Sequence, residues 1–520
     1  MSRNGADVLC STLLENDLNV CFANPGTSEM HFVAALDRQK DMRCVLGLFE
    51  GVVTGAADGY ARMADKPAAT LLHLGPGLGN GLANLHNAKR AGTPIVNIVG
   101  DHATYHLQYD APLTSDIEGL ARPMSDWVHT TAMVDTIAAD AARAVRYASG
   151  PPGKVATLIL PANVAWAEAP ETAPAPARIP VARPQVDASR IVAAAAMISS
   201  GEPTLILMGG SALRGRALEL LGRIATKTGV ALMSATSNPR AERGLGRTPL
   251  QKLPYAVDLA CQALASYRNI VLICAKAPVA FFAYPGKPSL LAPQTSECLE
   301  AVSDDYDVMD ALALLAELLN VRPGGAGLAD APAPVLPTTN GKLTGNAISA
   351  VVAALLPANA IVCDESISQG RDFSALSTGS APYDYLQLTG GAIGIGMPLA
   401  VGAAVACPDR KVITLEGDGS GMYTLQALWT QARESLNCLT VVFSNRTYAI
   451  LLGEMKNVGV TALGHNATQM LRIDNPAIDW VSLAKGMGVP AARVDTIDDF
   501  ITVFKQGLAM SGPMLIEALI

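Results

Sequence analysis

Short apolar runs recur along the chain. Each closes on turn residues, and each is followed by an Ala- and Leu-rich segment. In the first third the runs are "NVCFANPG", "CVLGLFE", "AATLLHLGPG" and "PIVNIVGD". The middle third has "PTLILMGG", "ALMSATS" and "NIVLICAK", and the last has "AIVCDES", "KVITLEGDG", "LTVVFSNRT" and "PMLIEALI". Short continuous apolar runs bounded by turn signals read as strands buried on both faces, and the segments between them read as helices. The pattern predicts an α/β fold of doubly wound parallel sheets. Two stretches rich in Pro and Ala, Glu168 to Asp187 and Arg322 to Lys342, interrupt it, with a composition that disfavours helix and strand interiors. Cutting there gives three domains, 1–168, 188–321 and 342–520. Ligands of such sheets bind beyond the carboxyl ends of the strands, so function should gather in the polar, Gly-rich segments that follow the runs.

Composition narrows the class. A length of 520 residues suits about three domains, and with 50% hydrophobic and 16% charged residues a large core can be buried. A net charge of −8 argues against nucleic acid as a partner. The nine cysteines are scattered without a CxxC pair, and they read as reduced, buried thiols of a cytoplasmic chain. The first twenty residues carry acidic side chains and no long apolar core, so no signal peptide is expected. No apolar run reaches the roughly 18 residues of a membrane span, so no membrane partner is expected.

The stretch "KVITLEGDGSGMY" ends a strand on a carboxylate between glycines. Asp418 there is either a turn or cap residue or a ligand for a hard cation such as Mg²⁺, which favours oxygen donors and substrate phosphates. Gly417 and Gly419 would let the backbone approach a phosphate, and a helix beginning in "YTLQALWTQA" would favour an anion. Asn445, 27 positions on, offers a side-chain carbonyl, and the turn at Arg446 and Thr447 can add a main-chain one.

"VGAAVACPDRKVITLEGDGS" followed by "SNRT" resembles the signature of thiamine diphosphate enzymes of the pyruvate decarboxylase and acetohydroxyacid synthase superfamily. Ser444 stands where that signature usually has a first Asn. The resemblance implies that Asp418, the Asn445 side chain and the Thr447 carbonyl bind Mg²⁺ or Ca²⁺, which holds the cofactor diphosphate. Gly417, Gly419, Ser420 and Tyr448 fall at that site. "LTGGAIGIGMPLAVGAA" resembles the segment under the cofactor rings, with Ile393 as the apolar wedge and the Gly391 carbonyl near the aminopyrimidine. In "CDESISQG", Ser366 and Ser368 look like diphosphate contacts.

Thiamine chemistry needs a carboxyl group that shuttles a proton through the aminopyrimidine, a task suited to a carboxyl whose pKa burial has raised. Glu50 lies in "CVLGLFEGVVTGAADGYAR", flanked by apolar residues before a helical segment. In isolation it could be a helix-start carboxylate favoured by the macrodipole. The segment also resembles the family's glutamate motif, which makes Glu50 the activating residue, leading through an ylide to an enamine. Glu50 and the metal site lie in different thirds. In the family they meet across subunits, so a homodimer at minimum, or a homotetramer, is implied.

Thr27 in "NPGTSE" and His73 in "LLHLGPGLGNG" align with a serine and a histidine of benzoylformate decarboxylase, whose site residues this chain resembles. His73 could relay a proton at neutral pH, or could be a buried histidine satisfied by backbone. A second histidine of that enzyme has its counterpart near "APVAFFAYPG", where Phe281, Phe282 and Ala283 stand instead. Ile450, Leu451 and Glu454 are expected on the substrate wall. The implied activity is non-oxidative decarboxylation or carboligation of a small-molecule 2-oxo acid. Alternatives are an acetolactate synthase-type enzyme without FAD, a 2-hydroxyacyl-CoA lyase that uses the basic stretch "NPRAERGLGRTPLQK", or an inactive cofactor-binding homologue. FAD is not expected, because the middle third is short and lacks the Arg- and Asp-rich motif typical of the synthases.

Overall fold

The computed structural model describes residues 3–170, 183–322, 331–338 and 341–520. Most of the two Pro- and Ala-rich stretches lies outside the described residues. The strands form three sheets flanked by helices, the α/β architecture that the apolar runs predict.

The first sheet contains β1 (Val20–Asn24), β2 (Arg43–Leu46), β3 (Ala68–Leu72), β4 (Ile95–Asp101), β5 (Trp127–Thr130) and β6 (Val155–Pro161), in the order β2-β1-β3-β4-β6-β5. The middle segment supplies β7 (Thr204–Met208), β8 (Ala231–Ser234), β9 (Ala241–Arg243), β10 (Gln251–Lys252), β11 (Asn269–Ile273) and β12 (Glu297–Val302). Five of these form the sheet β10-β8-β7-β11-β12. The last sheet contains β13 (Ala360–Glu365), β14 (Tyr383–Gln387), β15 (Val412–Gly417), β16 (Cys438–Ser444), β17 (Ala491–Val494) and β18 (Met514–Leu519), in the order β17-β18-β16-β15-β13-β14-β9. All pairings are parallel except that of β9, which leaves its own segment to pair antiparallel with β14.

Burial follows position in the sheet. Every residue of β16, a central strand, is buried, whereas the edge strands β2 and β12 begin with exposed residues. This corrects the expectation that the cysteines are buried. Cys44 on β2 and Cys298 on β12 are exposed, because an edge strand turns part of its length to solvent. The helix expected to open in "YTLQALWTQA" begins only at Ala427. Thr424 instead bonds through its hydroxyl to the Gly394 carbonyl, 2.9 Å away, and the residues before Ala427 form successive turns.

The first and last sheets share one hydrophobic core. It runs from Phe22, Val52 and Leu72 through Met397 and Leu399 to Val442 and Leu515. At its centre the helices Glu50–Ala64 and Gly396–Ala406 cross in backbone contact. A Cβ on Gly402 would lie 1.9 Å from the Ala56 carbonyl oxygen, and one on Gly59 would lie 2.1 Å from that of Leu399. The middle sheet has separate cores of its own. Arg62 joins all three units. Fully buried and paired with Asp58 at 2.6 Å, it also donates to the carbonyls of Pro239 (3.1 Å) and Gln387 (2.8 Å).

Candidate active site

Asp418 follows β15 directly and opens the four-residue helix Asp418–Gly421, beside the end of the neighbouring strand β16. Its carboxylate is buried and accepts from the amides of Gly419 (2.9 Å) and Arg446 (2.5 Å), which brings the two turns together. Burial pushes Asp418 up to about 6, while those backbone hydrogen bonds pull the other way. The Asn445 side-chain oxygen accepts from the Thr447 amide at 3.0 Å and keeps a second lone pair. Arg446 turns the chain at a left-handed φ of 56°. Ser444 is buried against Glu517. A carboxylate, an amide carbonyl and a main-chain carbonyl make an all-oxygen donor set, which fits a hard divalent cation.

The Gly417–Ser420 turn is closely packed. A Cβ on Gly419 would lie 2.4 Å from the Tyr448 ring, so this position needs glycine. The Ser420 hydroxyl donates inward to Glu416 (2.9 Å). Ser366 is buried and donates to Asp364 at 2.6 Å. Ser368 is half-buried, as is Ile393, and Gly391 has φ 81° beside the Phe281 ring.

Two carboxyls beneath this turn were missed from the sequence. Glu365 and Glu416 face each other in register on β13 and β15, both fully buried. Glu365 accepts from three successive amides, Gly394 (2.8 Å), Ile395 (2.8 Å) and Gly396 (2.6 Å). It thereby fixes the loop that carries Ile393. Burial pushes Glu365 up to about 7, and burial with repulsion from Glu365 holds Glu416 well above the ordinary carboxyl range. Glu416 Oε2 has no donor among the described residues, so it is the oxygen on which a proton shared by the pair would sit. The only signal in sequence was a glutamate ending each of two apolar runs.

Glu50 begins the helix Glu50–Ala64 and is buried. Its two carboxylate oxygens accept from Asn24 (3.0 Å) and Asn80 (2.9 Å). Those bonds stay within the first unit, and the bonds of Asp418 stay within the last. The units touch nearby through Asn84, whose side-chain amide reaches the Gly51 carbonyl (2.8 Å) and the Gly394 carbonyl (3.2 Å).

His73 stands at the N-cap position of the helix Leu74–Ala91 without a side-chain capping bond, and its Nδ1 lies 2.8 Å from the Glu29 carboxylate. Glu29, another residue missed from the sequence, is buried and also accepts from the Gly26 amide (2.8 Å) and the Ser28 hydroxyl (2.5 Å). Gly26 must be glycine here, since a Cβ would lie 2.1 Å from the imidazole. Thr27 and His73 line one cavity of about 360 Å³, whose wall also includes His102, Tyr105, His106 and Trp166.

Ile450, Leu451 and Glu454 sit together on the helix Ala449–Asn457. Leu451 is exposed, and Glu454 bonds Asn457 (3.3 Å) and Tyr284. Tyr284 belongs to the stretch Ala277–Gly286, and Phe281 of that stretch lies against Gly391. Several basic residues of "NPRAERGLGRTPLQK" are engaged internally. Arg240 pairs with Asp384 at 2.6 Å, Arg247 with Glu242 at 3.3 Å, and Arg243 donates to the Ser374 carbonyl at 2.5 Å. Among the described residues, no helix is long and apolar enough to cross a membrane.

Comparison with known proteins agrees with this geometry. Residues 3–127 match the family described as thiamine pyrophosphate enzyme, N-terminal TPP binding domain, and residues 374–518 match the corresponding C-terminal TPP binding domain. The chain is 48% identical over 519 residues to IlvX of Mycobacterium tuberculosis H37Rv, a protein named after the acetolactate synthase large subunit, with 99% of each chain covered. It is 31% identical to benzoylformate decarboxylase of Pseudomonas aeruginosa, over 97% of this chain and 96% of that one. Among solved structures, the thiamine diphosphate-dependent 4-hydroxybenzoylformate decarboxylase of Rhodococcus jostii RHA1 superposes with a TM-score of 0.87 at 27% identity, covering 99% of both chains.

Proposed function

Because this chain belongs to the thiamine pyrophosphate enzyme family, we propose that it is a thiamine diphosphate- and Mg²⁺-dependent enzyme that removes CO₂ from a 2-oxo acid without oxidation. It then releases an aldehyde or passes the acyl unit to a second carbonyl. The cofactor, when bound, supplies the electron sink for that chemistry. Asp418, the Asn445 side chain and the Thr447 carbonyl hold the cation. The turn Gly417–Ser420 receives the diphosphate, with Ser366 and Ser368 beside it and Tyr448 covering it. Gly391 and Ile393 orient the rings, Glu50 moves the activating proton, and Thr27 and His73 meet the substrate, with Ile450, Leu451 and Glu454 on the wall. The separation of the Glu50 and Asp418 bonding networks supports a homodimer or homotetramer, in which Glu50 serves the cation site of a second copy.

The observation that carries the decarboxylase reading is His73, fixed at Nδ1 by buried Glu29 at the edge of a cavity it shares with Thr27. An imidazole held in this way presents its other nitrogen as an acid or base. Acetolactate synthase-type carboligation without FAD is the second reading, favoured by the 48% identity to IlvX. A product screen separates the two. The protein is incubated with thiamine diphosphate, Mg²⁺ and a panel of 2-oxo acids, with and without an acceptor aldehyde. Free aldehyde supports decarboxylation and acetolactate supports the synthase. Turnover only to a CoA thioester would overturn both.

A further inference from the structure

The middle sheet supplies none of the groups assigned to the cofactor, yet its unit reaches both loops that would hold it. The first loop carries Ser366 and Ser368. Between them Ile367 sits at φ 45°, in a turn closed by the Gln369 amide on the Ser366 carbonyl (3.2 Å). A positive φ suits glycine, and a β-branched residue keeps it only where the surroundings enforce it. Ser366 is tied back to Asp364 through its amide (3.0 Å) and its hydroxyl (2.6 Å). Arg371 Nε donates to the Ile367 carbonyl at 3.0 Å. Arg371 is a long, exposed side chain, costly to order by itself. Its guanidinium lies over the ring of Tyr255, from the middle unit, 5.3 Å from the centroid, and a cation in that position is held by the ring face. Tyr255 also packs on Phe281, with ring centroids 5.4 Å apart. Phe281 in turn lies on the second loop, which carries Gly391 and Ile393. A Cβ on Gly391 would lie 2.7 Å from the Phe281 ring, and Gly391 itself has φ 81°. Contacts therefore run from Ile367 through Arg371, Tyr255 and Phe281 to Gly391, and Tyr255 joins the two arms.

We propose that Arg371, Tyr255 and Phe281 are positioning residues, a clasp that holds the diphosphate loop and the ring loop of the cofactor seat in one fixed relation. The proposal rests on the thiamine diphosphate reading and deepens it, because it makes the middle unit a participant in cofactor binding. Arg371 acts through the Ile367 carbonyl and keeps the strained turn in shape. Phe281 acts through Gly391 and fixes the height of the ring loop. Tyr255 braces both, so it carries the coupling between them.

The test measures the affinity of the full-length protein for thiamine diphosphate and, separately, for inorganic pyrophosphate, by titration calorimetry at fixed Mg²⁺. Pyrophosphate has no rings and reports on the diphosphate loop alone. Arg371→Met should weaken both ligands about tenfold. Phe281→Ala should weaken thiamine diphosphate about tenfold and leave pyrophosphate within about twofold. Tyr255→Leu should weaken both, and Tyr255→Phe, which keeps the ring, should stay within about twofold of the unaltered protein. A second background separates positioning from bare charge. Glycine adopts a positive φ freely, so in Ile367→Gly the further change Arg371→Met should cost less than about threefold. An equal loss in both backgrounds would make Arg371 a mere counter-charge and overturn the proposal. In the cofactor-free protein, Tyr255→Leu should speed hydrogen exchange about tenfold or more in both peptides, 364–371 and 388–396. Faster exchange in only one of them would overturn the coupling. If Tyr255→Leu does not fold, Arg371→Met and Phe281→Ala decide by their opposite responses to pyrophosphate. Absence of thiamine diphosphate binding by the unaltered protein would refute the cofactor reading and this proposal with it. Binding by the unaltered protein with unchanged affinities in the variants would refute the clasp alone.

Discussion

The buried pair Glu365 and Glu416 gives an asymmetric prediction. Three backbone N–H groups point at Glu365, so the negative charge belongs there and the shared proton belongs to Glu416. Glu416→Gln replaces an O–H donor with an N–H donor, and its carbonyl still accepts from Ser420. Its cost should stay below about 1 kcal/mol. Glu365→Gln keeps at most one good acceptor oxygen. In its better orientation it satisfies Ile395 and Gly396 but sets an NH₂ group against the Gly394 amide. One buried donor left unpaired, together with the lost charge, should cost about 2–4 kcal/mol. A protein with several cores does not unfold in two states, so the local readout is hydrogen exchange of the peptide spanning 388–400, alongside the melting temperature. Glu365→Gln should speed exchange there by a factor of about thirty or more, and Glu416→Gln should scarcely change it. Equal effects, or a larger one for Glu416→Gln, would refute the placement of the charge. The pair also predicts the sign of the pH response. Both carboxyls are raised from an ordinary value of 4.5, Glu365 to about 7 and Glu416 further. Between about pH 4.5 and 7 the folded chain keeps protons that the unfolded chain has released, so this contribution to stability is complete at low pH and falls as pH rises. The slope is about 1.4 kcal/mol per pH unit for each retained proton. Glu416→Gln removes the repulsion within the pair and should flatten that slope.

Three further outcomes follow from other contacts. Arg62→Met strands Asp58 as a buried charge, a local cost of about 3–5 kcal/mol, and should lower the melting temperature by several degrees; an unchanged melting temperature would contradict the packing described. Asp418→Ala should abolish Mg²⁺-dependent retention of thiamine diphosphate on gel filtration, and full retention would remove Asp418 from the cation site. Glu50→Gln should retain the cofactor but slow exchange of its thiazolium proton by at least about a hundredfold, measured by NMR after acid quench; unchanged exchange would end its assignment as activator.

The sequence revealed those parts of the fold whose strands sit at sheet centres. β4, β13, β15 and β16 are buried on both faces, and each is a continuous apolar run that ends on a turn. β14, "YDYLQ", was hidden because its polar residues are buried by pairing, with Asp384 held between Arg240 and Arg410. β9 and β10 have two or three residues and no hydrophobic signature. Within the site, Asp418 and Asn445 stood out because glycines and a strand end bracket them. Glu29 and Glu365 did not, because their roles depend on partners 44 and 29 to 31 residues away, and only folding creates those contacts. In sequence both glutamates are ordinary turn carboxylates.

The core shared by the first and last sheets bears on how such a chain can be inherited. Three sheets suggest three exchangeable modules, yet Gly59 and Gly402 bring two helices from opposite ends of the sequence into backbone contact. A side chain gained at either position in one lineage has no complement in another, so the outer thirds must be passed on together. The middle third is different. Its cores are its own, and its grip on the rest includes the arm from Asn238 to Arg247, which lends β9 to the last sheet. Shuffling between relatives should therefore succeed for the middle sheet when that arm travels with the surface it clasps, and fail at any boundary that separates the two outer thirds.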